Sequence, residues 1–286
     1  MSLDLIRSKL ANYNPSTRQE ELNAIAEISQ ELALAALAKS DFFSKAAFQG
    51  GTCLRIIHGI QRFSEDLDFI SIGHEDFRWE KYLKDVKNLF ESFSLEVQIK
   101  DRSQTDAVVR KAFIKQDSFG KVLDLSFPSN ISDRQNIRIK FEIDTNPPTE
   151  SRFQTHYLSF PYPHSVLTQD VPSLFASKCL AILGRKYDKG RDWFDLTWYF
   201  SMKSKVNYDF LSRGVEQIEG KKTGNLNLDA KWLRKALLQK IDQVPWEETK
   251  DDISRFLRAQ DQHVLKVWGI EYFRGVVDSY FSTIGS

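Results

Sequence analysis

Several things are scarce in this sequence, and each shortage excludes a class of protein. The apolar stretches are short and broken by Lys, Asp or Glu, so none approaches the roughly 20 apolar residues that span a bilayer. The opening residues, MSLDLIRSKL, lack the apolar core of a secretion signal. A cytoplasmic protein without membrane segments is expected. There are only two cysteines, Cys53 and Cys179, both in apolar contexts; they make neither a disulfide framework nor a zinc site and are expected to be buried thiols. With 13 Gly and 8 Pro against 41% hydrophobic residues, the chain of 286 residues is neither disordered nor collagen-like. Excess charge is missing as well: 40 Lys+Arg oppose 39 Asp+Glu, so no overall field draws in nucleic acid and any such binding must come from a local patch. A Gly-x-x-x-x-Gly-Lys-Ser phosphate loop, a Gly-x-Ser-x-Gly elbow and a Cys/His cluster are also absent.

The residues present describe an ordinary globular chain rich in aromatics, which are read first as core filling. Leu22, Ile25, Ile28, Leu32 and Ala35 recur at helical spacing between Thr17 and Lys45 and predict one or two amphipathic helices. A short strand over Ala46–Gly51, ending in a glycine turn, leads into a helix. Another strand is expected over Leu67–Ile72, a helix over Phe77–Phe93, and strands near 95–101, 108–116 and 136–144. In the last of these, Ile137, Ile139, Phe141 and Ile143 alternate with Arg138, Lys140, Glu142 and Asp144, giving one apolar and one charged face. A strand, a turn and a helix opening near Pro172 follow, and helices make up the rest. The expected organisation is two lobes, 1–168 and 169–286.

Chemistry concentrates between Gly50 and Phe69. Gly50 and Gly51 end a strand and open a helix, where backbone N–H groups can hold a phosphate. Asp66 and Asp68 flank Leu67 on a strand and so share one face. Adjacent carboxylates repel unless a cation separates them, and oxygen-only ligands suit Mg²⁺ or Mn²⁺. Glu142 on a later strand offers a third carboxylate. Together these describe a metal-assisted phosphoryl-transfer site. Farther on, Lys178, Ala181 and Arg185 fall on one helix face, as do Asp192 and Asp195, which spacing alone does not separate. Basic residues gather at 178–191 and again at Lys221, Lys222, Lys231, Arg234, Lys235 and Lys240, and are candidate phosphate contacts. Ser64 reads as a turn cap or a nucleotide neighbour, and His58 as a packed histidine.

These motifs resemble the nucleotidyltransferase superfamily, and within it the AbiEii-like toxins of type IV toxin-antitoxin systems. The resemblance rests on Gly50-Gly51-Thr52-x-Leu54-Arg55, on Arg62-x-Ser64-x-Asp66-x-Asp68-Phe69, on Lys178 with Ala181 and Arg185, and on Arg191-Asp192 with Asp195-Leu196. It implies an α+β fold: a nucleotidyltransferase-like mixed sheet flanked by helices, with a helical C-terminal lobe. It implies transfer of a nucleoside monophosphate from an NTP to an RNA end, tRNA in particular, and toxicity neutralised by a cognate antitoxin. Asp66 and Asp68 would act with Lys178 and with Asp192 or Asp195; Asp66, Asp68 and Glu142 would hold the metal; Gly50, Gly51, Thr52, Arg55, Ser64 and Arg185 would bind the nucleotide. The rival expectations are a nucleotidyltransferase acting on a small molecule such as an antibiotic, and a catalytically silent nucleotide- or RNA-binding module.

Overall fold

A computed structural model describes residues 2–73, 77–101, 109–116, 137–220 and 225–284. The chain divides into two compact units, Met1–Asn146 with Phe153–Thr168, and Pro147–Arg152 with Gln169–Ser286.

The first unit opens with helix α1 (Leu3–Tyr13), whose Ser2 cap accepts from the Asp4 N–H. The helix ends at Asn14 in the left-handed conformation, just before Pro15. Helix α2 (Arg18–Ala38) starts at the Thr17 cap and ends shortly before a 3-10 turn, Phe42–Ser44. The expected amphipathic stripe understates α2, whose buried residues run nearly all round it and include Glu20, Glu21, Glu27, Gln30 and Glu31. Strand β1 (Ala46–Gln49) stops short of the glycines, and Gly50 is already the first residue of α3 (Gly50–His58). Then come β2 (Asp66–Ser71), α4 (Trp79–Ser92), β3 (Val97–Asp101), β4 (Val109–Gln116), β5 (Ile137–Asp144), β6 (Phe153–Leu158) and β7 (His164–Gln169).

These strands form one mixed sheet in the order β3-β4-β5-β2-β1-β7-β6. β2 runs antiparallel to β1 and parallel to β5, with Asp66 beside Lys140 and Asp68 beside Glu142. Pleating puts Leu67, Phe69, Phe141 and Ile143 on the opposite face, where Phe69 and Phe141 stack at 6.2 Å. Phe42 meets both Phe69 and Tyr82 of α4 edge-on, at 4.9 and 5.1 Å, so helical elements pack on the apolar face, opposite the one that carries Asp66 and Asp68.

The second unit is helical: α5 (Val171–Gly184), α6 (Gly190–Ser201), α7 (Tyr208–Ile218), α8 (Ala230–Ile241), α9 (Trp246–Ser254), a 3-10 segment (Ala259–Val267) and α10 (Ile270–Ile284). Its core is aromatic. Phe175 stacks on Tyr199 at 4.5 Å, Trp246 on Phe273 at 4.4 Å, and Phe200 on Tyr280 at 4.2 Å. Lys189 makes no side-chain capping bond at the start of α6; Asp252 of α9 accepts from the Gly190 N–H instead, at 2.9 Å. No described helix is long and apolar enough to cross a membrane.

Candidate active site

The glycine turn is shaped by what stands against it. Gly50 has φ +77, and a Cβ there would lie 2.6 Å from Asp68 Oδ2; both backbone and space demand glycine. A Cβ on Gly51 would collide with the guanidinium of Arg62 and press on the Ser64 hydroxyl. The turn therefore lies flat against the acidic strand. Gln49 makes no side-chain cap at α3, so the helix presents its first N–H groups uncapped by that residue, beside the carboxylates. Thr52 does not cap either. Its buried hydroxyl donates to the backbone carbonyl of Asp66 and fastens α3 to the head of β2.

Asp66 and Asp68 are half-buried and share one sheet face with Lys140 and Glu142. Glu142, the expected third carboxylate, is engaged by Lys140 at 2.6 Å. Burial alone would lower the Lys140 ammonium, but the Glu142 hydrogen bond and the charges of Glu142, Asp66 and Asp68 outweigh it and hold the group above its ordinary value. Among the described residues no three His, Cys, Asp or Glu side chains are grouped as a ready metal cage. Asp66 and Asp68 are two adjacent carboxylates on one sheet face, and such a pair fits Mg²⁺ or Mn²⁺, which take one or two carboxylates and draw further ligands from water and phosphate. Asp144, at the end of β5, sits beside Ile70 and accepts from the Asn146 N–H at 2.9 Å, so it serves the turn.

The arginines of the two glycine-proximal motifs are built into the structure. Arg55 donates through Nε to Glu27 at 2.7 Å and through Nη1 to the Ile60 carbonyl at 2.9 Å, and so braces α3 against α2. Arg62, almost fully buried, donates to the Phe63 carbonyl at 2.9 Å. Ser64 contributes its carbonyl to Gln30, at 3.0 Å, while its hydroxyl faces Gly51. Lys140, Glu27 and Gln30 were not singled out by sequence. Lys140 shares the charged face of its strand with Glu142 in the sequence, but its place beside Asp66 emerges only from the parallel register of β2 and β5, and two polar residues on a helix read as solvent-facing. The combination of Gln30 with Glu27 and Glu31 inside an Ala/Leu-rich helix was the available signal.

In the second unit Lys178, Asp192, Asp195 and Arg185 form one group. Lys178 Nζ lies 2.7 Å from Asp192 Oδ1 and 2.7 Å from Asp195 Oδ2, and Arg185 pairs with the other Asp192 oxygen. Both aspartates thus reach from α6 to α5. The Arg191 guanidinium lies 4.2 Å over the ring of Phe256. Two cations and two carboxylates, three of these residues buried, balance each other. In the second basic region Lys240 meets Asp188 at 3.1 Å and Arg234 meets Asp278 at 2.7 Å, while Lys221 and Lys222 lie outside the described residues. Cys53 and Cys179 are buried free thiols whose pKa burial pushes up, outside this chemistry.

A mixed sheet with an acid-apolar-acid strand beside a glycine turn, followed by a helical lobe, is the build of a nucleotidyltransferase-like toxin fold. JHP933 from Helicobacter pylori shares it, with 16% identity over 92% of this chain and 91% of that one and a TM-score of 0.53. So does MenT4, the nucleotidyltransferase toxin Rv2826c of Mycobacterium tuberculosis H37Rv, with 14% identity over 97% and 98% of the two chains and a TM-score of 0.52. No curated protein matches. The family described as nucleotidyl transferase AbiEii toxin, type IV toxin-antitoxin system, matches residues 32–277, and the chain belongs to it. It is a nucleotidyltransferase, as the motifs indicated.

Proposed function

We propose that this toxin transfers a nucleoside monophosphate from an NTP to an RNA end, with tRNA as the acceptor, in the cytoplasm and under the control of a cognate antitoxin protein. The observation that carries the reading is the Gly50–Gly51 turn lying against Asp68, which puts the start of α3 and two carboxylates side by side. First-turn N–H groups suit phosphate oxygens, and the bare Cα atoms let the phosphates approach. Asp66 and Asp68 would hold Mg²⁺ or Mn²⁺, which when bound supplies neutralising charge for the phosphates. In the reaction the acceptor hydroxyl oxygen bonds to the α-phosphorus while the bond from that phosphorus to the bridging oxygen breaks. Pyrophosphate leaves, and the hydroxyl proton passes to solvent. Lys178 and Arg185, held by Asp192 and Asp195, are the second unit's cations assigned to phosphate oxygens.

The test is incubation of the protein with Mg²⁺, bulk tRNA and each α-³²P-labelled NTP in turn, beside Asp66→Ala. Label on tRNA only with the intact carboxylate supports the reading and names the base. Transfer to a small molecule without RNA, or no transfer with any nucleotide, rejects the tRNA acceptor.

A further inference from the structure

The segment that delivers Asp66 to the sheet has no ladder of its own, yet side chains take its carbonyls one after another. Arg55 holds that of Ile60, Arg62 that of Phe63, Gln30 that of Ser64 and Thr52 that of Asp66. Three of these donors belong to α3 or to the segment itself. Gln30 does not: it reaches in from α2, 34 positions earlier in the chain. Gln30 is fully buried, and its amide oxygen has no hydrogen-bond partner. A buried amide with half its capacity unused costs stability that an apolar residue of the same length would not. Its donor half makes one contact, and that contact falls two residues ahead of Asp66. One helical turn earlier, Glu27 holds Arg55 and through it the Ile60 carbonyl. Both residues precede residue 32, where the match to the family begins.

We infer that Gln30 is a positioning residue for nucleotidyl transfer, fixing the Ser64 peptide and with it the entry of Asp66 and Asp68 into β2. The same peptide carries the hydroxyl that stands against Gly51, so Gln30 also sets one wall of the glycine turn. A donor of this length is required; a leucine or methionine fills the space and leaves the carbonyl loose. The inference rests on the reading of Asp66 and Asp68 as the reactive carboxylates.

Gln30→Met keeps the length and burial and removes the donor. Gln30→Glu keeps the shape and turns an acceptor toward the carbonyl. Both are compared with the unmodified chain and Asp66→Ala by steady-state transfer kinetics, thermal melting and amide hydrogen exchange of residues 60–66. Misplacement of a reactive group by a fraction of an ångström to one ångström predicts a fall in kcat of about ten- to a hundredfold in Gln30→Met. The KM for NTP should stay within about twofold, because binding contacts common to substrate and transition state are intact. Exchange over 60–66 should quicken while α4 is unchanged, and Gln30→Glu should be slower still in turnover. Unchanged kcat in well-folded Gln30→Met overturns the inference, as does a rate loss fully explained by a lowered melting temperature. If Asp66→Ala retains full activity, the carboxylate reading fails by itself, and exchange over 60–66 still decides whether Gln30 holds the segment.

Discussion

Gly50 carries two constraints that are separable by substitution. Its positive φ is shared with Gly59, which closes α3 and has open space where a Cβ would go. Gly59→Ala should therefore cost only the left-handed penalty, about 1–2 kcal/mol in folding stability. Gly50→Ala adds a methyl 2.6 Å from Asp68 Oδ2 and must shift the carboxylate itself. The expected outcome is a stability loss at least as large as that of Gly59→Ala together with a fall in kcat/KM of about a hundredfold, which Gly59→Ala does not show, read by melting and transfer assays side by side. The motif glycines and aspartates were legible in the sequence because their constraint is local: a turn next to a strand and a two-residue repeat. Glu142 was legible as a carboxylate on the charged face that it shares with Lys140, but the placing of that face beside Asp66 and Asp68 was not, since the register of β5 against β2 is not encoded locally.

At the scale of elements, α3 is pinned at both ends, by Thr52 on the Asp66 carbonyl and by His58 against His156 of β6. The two rings meet edge-on at 5.4 Å. Burial, and secondarily the charge of His156, brings His58 from 6.5 down to about 4. Between those values the unfolded chain takes up a proton that the folded chain refuses, so stability is complete above pH 6.5 and declines as pH falls toward 4. His58→Gln should flatten that acid limb, seen as a smaller drop in Tm from pH 7 to pH 5. The packed-histidine reading of His58 needed only its apolar neighbours. By contrast β6 was not foreseen, because FQTHYL lacks alternation and its placement depends on β7. Helix α1 was missed as well, with only Ile6 and Leu10 buried and much of its attachment polar, through Tyr13 to Glu27 and Lys9 to Glu31.

At the scale of the whole molecule, cations that cluster along the sequence meet carboxylates from elsewhere in the chain. Lys178, Arg185, Arg234 and Lys240, which read as basic clusters in the sequence, each face a carboxylate in the fold. A linear sequence shows cations that are close along the chain and hides acids brought in from Asp188, Asp192, Asp195 and Asp278. The aromatic content was legible as core filling, and the stacked rings of the helical unit are that core.

One of the two edge strands of the sheet has a colloidal consequence. β6 ends the strand order, carries no Lys, Arg, Asp, Glu or Pro, and turns Phe153 and the 84%-exposed Tyr157 outward on the same face. Natural sheets usually blunt such a rim with charge, a bulge or proline, because an unblunted one templates the addition of another strand. Concentrated solutions should therefore associate through this rim as crowding or neutral salt weakens other repulsions. A single lysine, Tyr157→Lys, should raise the concentration at which light scattering first climbs, with nucleotide transfer untouched.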